Sequence, residues 1–153
     1  MTDIIFSSWQ NERFDGREAA APDNKPPANV KLAAEFRPGE RIKALMGWDG
    51  IVLRDEDVDI VDMCAKYAEA VQQESCGKCF PCRVGTRIVA DWLKKIAAGE
   101  GKEAYPEKIR DLSLSIRDGS KCSIGQTGMN PILHALHHFP QAFAAAITEQ
   151  KKA

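Results

Sequence analysis

Apolar residues recur at helical spacing along the last hundred residues of the chain, and that pattern carries most of the fold. Val58, Val61, Ala65, Ala68 and Val71 share one face. Asp55 stands before them as a candidate N-cap, and Glu56, Asp57 and Asp59 supply the negative charge that a helix N-terminus favours. Together they predict a helix over about 56–73. Val89, Trp92, Leu93 and Ile96 then repeat up to Gly99, a residue suited to the left-handed position past a helix end, which predicts a second helix over about 83–98. A third runs from Pro106, tolerated in a first turn, through the stripe Ile109, Leu112 and Ile116 to Gly119. The segment GSKCSIGQTG, residues 119–128, reads as a loop by its turn residues. Asn130 and Pro131 open a fourth helix bearing Ile132, Leu133, Leu136 and Phe139; Pro140 interrupts it, and Phe143, Ala144 and Ile147 mark a last one. The fold class expected is mainly α: a small four- or five-helix bundle with its cysteine-bearing loops at helix ends, an extended N-terminal arm, and no internal repeat.

The first third reads differently. Leu, Ile, Val and Phe make up 9 of the first 50 residues against 24 of the remaining 103, so the core is expected in the C-terminal part. Pro22, Pro26, Pro27 and Pro38 break any helical or strand pattern over 16–40, and Ala19 to Ala21 are too few to nucleate a helix. Upstream, Ile4, Ile5, Phe6, Trp9 and Phe14 are costly to leave in water. Residues 1–46 are therefore expected to form an extended, Pro-rich, partner-binding arm, and 47–150 the helical domain.

Charge narrows the function by exclusion. With 21 basic and 22 acidic residues the formal net charge is -1, which gives no general reason to expect nucleic acid or a membrane surface. No apolar run approaches the length of a membrane span, and the start MTDIIFSSWQNERFD lacks the features of a secretion signal, so a cytoplasmic protein is expected. A chain of 153 residues suits one domain and leaves no room for a dinucleotide fold with a separate substrate domain.

Local chemistry is concentrated in five cysteines, an odd number that favours metal or redox-cofactor binding over disulfides in a reducing compartment. Cys76, Cys79 and Cys82 form C-G-K-C-F-P-C, whose two three-residue steps direct three thiolates from one tight loop toward a common point. Such a run is characteristic of iron-sulfur ligation, whereas zinc sites usually draw two cysteines from each of two loops. A four-iron cubane needs a fourth ligand; Cys122, in a glycine-containing loop, is the choice, while Cys64 falls inside a predicted helix and reads as a small buried apolar side chain. The triplet alone would hold a three-iron cluster, and zinc is the rival metal. Around these ligands Lys78, Arg83, Arg87 and Lys121 are placed to offset thiolate and sulfide charge. Gly77 and Gly85 allow close backbone approach, and the amides of the helix following Cys82 would face the cofactor.

The segments ESCGKCFPCRVGT (74–86) and KCSIGQTGMNPILHALHHF (121–139) resemble the C-terminal iron-sulfur domain of the NADH-binding flavoprotein subunit of complex I, and its relatives in NAD-linked hydrogenases and formate dehydrogenases. The resemblance covers roughly 47–143 and includes GIVLRDEDVDIVDMCAKYAEAV. It implies that Cys76, Cys79, Cys82 and Cys122 hold one 4Fe-4S cluster that passes electrons between a flavin and further centres. Full-length family members carry flavin and NADH on preceding domains, and no G-x-G-x-x-G occurs here. FMN and NAD are thus expected only on a partner subunit, and this chain as a stand-alone small subunit.

His134 and His138 share a helix face with His137 alongside, but no H-E-x-x-H pattern accompanies them, and they read as ordinary helix histidines. Trp9, Trp48 and Trp92 read as packing groups. The function expected is an electron-transfer subunit of a multi-subunit cytoplasmic oxidoreductase, with no catalytic residues, substrate pocket or NADH site of its own. Its expected partners are other redox subunits, among them a flavoprotein or another iron-sulfur protein. The alternative is a structural adaptor whose four cysteines bind zinc.

Overall fold

A computed structural model describes residues 4–10, 12–18 and 35–148, which separate into two compact units, one ending at Val58 and one beginning at Asp59. The second unit is helical: α1 (Ile60–Glu74), α2 (Phe80–Ala97), α3 (Tyr105–Gly119), the single turn α4 (Ser123–Thr127), α5 (Asn130–His138) and α6 (Pro140–Thr148). The five longer helices are the five that apolar spacing predicts. α1 packs on α2 and α2 on α3, and the centre is filled by Cys64, Ala68, Val89, Leu93, Ile96, Ile109, Ile116, Ile132 and Phe143. Among the described residues no helix is long and apolar enough to cross a membrane.

Helix starts depart from expectation for identifiable reasons. α1 begins after Asp59, whose carboxylate accepts from the amides of Val61 and Asp62 at 3.0 Å each, satisfying two of the donors a helix start leaves open. The predicted cap, Asp55, instead accepts from Asp57 N at 3.0 Å in a local turn. α2 begins at Phe80, one turn earlier than its apolar stripe shows, with Cys79 as N-cap and a proline in the first turn. Cys82 is therefore inside the helix rather than before it. The 119–128 segment, read as a loop, contains α4, with Cys122 as its N-cap.

The first unit is built on a four-stranded antiparallel sheet in the order β2-β1-β6-β5: β1 (Phe6–Trp9), β2 (Glu12–Asp15), β5 (Ala44–Gly47) and β6 (Gly50–Leu53). Phe6 pairs with Asp15 on one side and with Leu53 on the other. Residues Phe6–Trp9 and Glu12–Asp15 are thus strands rather than an extended arm, and the folded unit runs past 46 to Val58. All four residues of β6 are buried. Gly50, at φ +142°, lets the strands close, because a side chain there would fall on the Ser8 carbonyl oxygen. Within the stretch read as pattern-free, β3 (Glu35–Arg37) and β4 (Glu40–Arg41) form a small exposed hairpin about Pro38 and Gly39, the glycine at φ +84°. Residues 19–34, with Pro22, Pro26 and Pro27 of the expected arm, lie outside the described residues.

Candidate iron-sulfur centre

The loop 75–79 joins α1 to α2 and delivers the cysteine triplet. Ser75 is the C-cap of α1, its amide bonded to Gln72 O at 3.4 Å. Gly77 then takes φ +74°, a conformation glycine adopts without strain, and its amide donates to Ser75 Oγ at 3.3 Å. That turn leaves Cys76 exposed and Cys79 half-buried at the head of α2. Cys82 is buried in the first turn, its carbonyl accepting from Thr86 Oγ1 at 2.6 Å. Its sulfur lies 3.2 Å from Ser75 Oγ in a hydrogen bond.

The segment that bears Cys122 approaches the head of α2 through small residues. A Cβ placed on Gly119 would stand 2.7 Å from Pro81 Cγ, and one placed on Gly125 would stand 3.6 Å from Cys82 Cβ. The strip 119–125 therefore runs against the first turn of α2 at both ends, with exposed Cys122 between the two contacts. Gly125 also crowds Ser120, whose buried hydroxyl oxygen has no hydrogen-bond partner. Cys64, by contrast, is wholly inside the core, where desolvation first and the Asp59 charge second push its thiol far up from the ordinary cysteine range. It stands apart as a packing residue.

The remaining residues singled out from sequence divide by position. Lys78, Arg83, Arg87 and Lys121 are exposed. The Arg83 stem passes Gly77, with its Cδ 3.6 Å from where a Cβ would be, and its guanidinium stands 6.0 Å from the centroid of the exposed Phe80 ring. Gly85 serves a different purpose from the one expected: a Cβ there would meet Ile116 Cγ1 at 2.6 Å, so its smallness lets α2 and α3 approach. His134, His137 and His138 form a ring cluster on α5, with centroids 6.2 Å apart for His134 and His138 and 4.7 Å for His137 and His138. Trp92 stacks on Tyr105 at 5.4 Å and Trp9 covers Gly47, whereas Trp48 is half-exposed. Sequence reasoning missed Ser75, Thr86, Ser120 and Gly125; only Ser75 had a visible signal, a serine two residues before a glycine at a helix end.

This arrangement suits a large anionic cofactor. Four cysteines lie on two neighbouring segments, and the first turn of the long helix α2 has neither a side-chain cap nor an acidic residue, leaving its amides available to negative charge. The orphaned Ser120 hydroxyl and the Ser75 hydroxyl on Cys82 add polar hydrogens at the same spot. Among the described residues no three His, Cys, Asp or Glu side chains gather as they would around one metal ion.

Comparison with known proteins gives a consistent picture. The chain is 39% identical over 142 residues to the NADP(+)-dependent formate dehydrogenase subunit beta of Moorella thermoacetica, covering 93% of this chain and 19% of that protein. It is 37% identical over 153 residues to the NADPH-Fe(3+) oxidoreductase subunit beta of Geobacter sulfurreducens, covering 99% and 22%. With the crystal structure of an NAD+-reducing [NiFe]-hydrogenase in the H2-reduced state it shares 34% identity and a TM-score of 0.58, over 62% of this chain and 17% of that one. The chain thus spans about a fifth of the length of these relatives. Residues 62–146 match the family described as the NADH-ubiquinone oxidoreductase-F iron-sulfur binding region, and the chain belongs to that family.

Proposed function

We propose that this chain is the electron-relay part of a multi-subunit, cytoplasmic NAD(P)-linked oxidoreductase, with Cys76, Cys79, Cys82 and Cys122 holding one 4Fe-4S cluster. When bound, such a cluster takes up and gives back one electron at a time without breaking bonds to a substrate. The chain's own residues hold it, tune it and leave it accessible. The observation that supports the reading is the approach of Gly119 to Pro81 and of Gly125 to Cys82, which brings the strip bearing Cys122 beside the first turn of α2. Exposure of Cys76 and Cys122 supports exchange with a neighbouring centre over a purely internal role. The relatives named above are subunits of formate dehydrogenase and NADPH-Fe(3+) oxidoreductase, which supports a parent complex using a nicotinamide nucleotide. Flavin and nucleotide belong, in this reading, to other parts of that complex, and residues 1–46 contribute to docking with it.

The test is anaerobic purification and reconstitution. The protein is expected to show sulfide-to-iron absorption that bleaches with dithionite and about four irons per chain. Cys122→Ala is expected to lose the four-iron form, while Cys64→Ala keeps it. A colourless protein containing zinc on the same cysteines would refute the relay and establish the structural alternative.

A further inference from the structure

Ser75 is one residue outside the cysteine triplet, yet its hydroxyl lies 3.2 Å from the sulfur of Cys82, the most buried of the four proposed ligands. Either atom could donate while both carry hydrogen. A cysteine bound to iron is a thiolate and has no proton to give, so in the loaded protein the hydroxyl must be the donor. The backbone reinforces that direction. Gly77 N donates to Ser75 Oγ at 3.3 Å, occupying an oxygen lone pair and leaving the hydroxyl hydrogen free to point at sulfur. Ser75 itself is fixed as the C-cap of α1, so the donor is held in place before any cofactor arrives.

We infer that Ser75 is a positioning residue that sets the reduction potential of the cluster, through the chain Gly77 N–H to Ser75 O–H to Cys82 sulfur. The inference rests on the 4Fe-4S reading above. One electron enters from the donor and the cluster becomes one unit more negative; no bond to Ser75 forms or breaks. Because the added charge is shared by the thiolates, a hydrogen bond to one of them favours the reduced state and raises the potential. Lys78, Arg83, Arg87 and Lys121 act in the same direction, but all four are exposed and their fields are screened by salt. The hydroxyl acts on a buried sulfur, where a local dipole is screened least.

The experiment compares the full chain with Ser75→Ala and Ser75→Thr, each reconstituted anaerobically, by iron and sulfide analysis and by redox titration followed by electron paramagnetic resonance. Ser75→Ala is expected to load fully and to shift the reduction equilibrium roughly tenfold toward the oxidised form, a midpoint about 59 mV lower for a one-electron couple. Ser75→Thr keeps the hydroxyl and is expected to keep the wild-type midpoint. A fully loaded alanine protein with an unchanged midpoint overturns the inference, and so does a threonine midpoint that falls as far as alanine's. If the alanine protein does not load, resonance Raman spectra of the wild type in H2O and D2O decide. An isotope shift of the iron to cysteine-sulfur stretching bands supports the donor, and its absence overturns it. A wild-type chain that takes up no iron defeats the cluster reading itself, and the inference with it, before any midpoint is measured.

Discussion

Gly125→Ala separates two physical effects of opposite sign. Gly125 lies inside α4, and it is not among the glycines with positive φ. Backbone preference alone therefore predicts that alanine stabilises the turn, by up to about 1 kcal/mol. Packing predicts the reverse. A Cβ at this position would run into both Cβ and Oγ of Ser120, and Ser120 Cβ is tied to the backbone and cannot swing aside. Overpacking of this kind costs about 1–3 kcal/mol, so with the full backbone gain set against it the net expectation is a loss of up to about 2 kcal/mol. For a unit of this size that corresponds to a melting temperature lower by about 4–8 °C per kcal/mol. The assay is thermal and urea unfolding of the metal-free protein by circular dichroism, followed by iron analysis after reconstitution, because Ser120 stands two residues before Cys122. Adding Ser120→Gly removes both clashing atoms and leaves only an ordinary 3.6 Å contact with Cys82 Cβ. The double variant should therefore recover about 1 kcal/mol relative to the sum of the two single changes. A Gly125→Ala protein that melts at or above the wild-type temperature and loads iron normally would refute the proposed apposition of the 119–125 strip with α2.

Two further outcomes follow from the structure. In metal-free native protein, iodoacetamide should label exposed Cys76 and Cys122 readily, while Cys64, buried and held protonated by desolvation, reacts only after denaturant opens the core; early modification of Cys64, read by peptide mass spectrometry, would contradict the packing of α1. In the first unit, the Arg17 guanidinium donates to the Asp15 carboxylate at 2.8 and 2.7 Å and holds its carboxyl below the usual 3.8. The unfolded chain then binds that proton more readily, so the stabilisation is complete above about pH 4 and is lost as pH falls through the lowered native value. Amide exchange of β1 measured from about pH 6 to about pH 3 should show this acid loss, corrected for intrinsic exchange, and Asp15→Asn should remove it.

The helices were legible because each buries a stripe whose period survives in the sequence, from Val61, Cys64 and Ala68 in α1 to Val89, Leu93 and Ile96 in α2. Their first turns were less so. The first turn of α2 is Phe80, Pro81, Cys82 and Arg83, of which Phe80 is exposed and Cys82 is turned to the site, so it contributes nothing to an apolar stripe that becomes readable only at Val89. At α1 four acidic residues stand in a short run and each could cap. Asp59 does so because a start there puts Ile60 and Val61 immediately into the core. The sheet escaped notice for a different reason. β1 reads Phe-Ser-Ser-Trp with both serines buried, and its partner β6 is more than forty residues away. Its stability comes from a non-local pairing that no local pattern reveals.

The cysteines proposed as ligands stand out in the sequence by their spacing, whereas the residues that position them do not. A thiolate spacing can be read directly, because the chemistry of iron and sulfur demands it. The supporting residues are small, and smallness carries no spacing rule. Gly77 is needed for a positive φ, Gly119 and Gly125 for the approach of the strip to Pro81 and Cys82, and Gly85 for the approach of α3. Four glycines thus meet different constraints, one conformational and three steric, and only coordinates separate them. The two serines follow the same logic. Each is too short to reach anything but its immediate surroundings, so Ser75 is placed on Cys82 and Ser120 is sealed beside Gly125 by the backbone rather than by rotamer choice. In the relay proposed above, donors positioned in this way would not need to reorganise when an electron arrives, and a small reorganisation is what exchange between fixed centres requires.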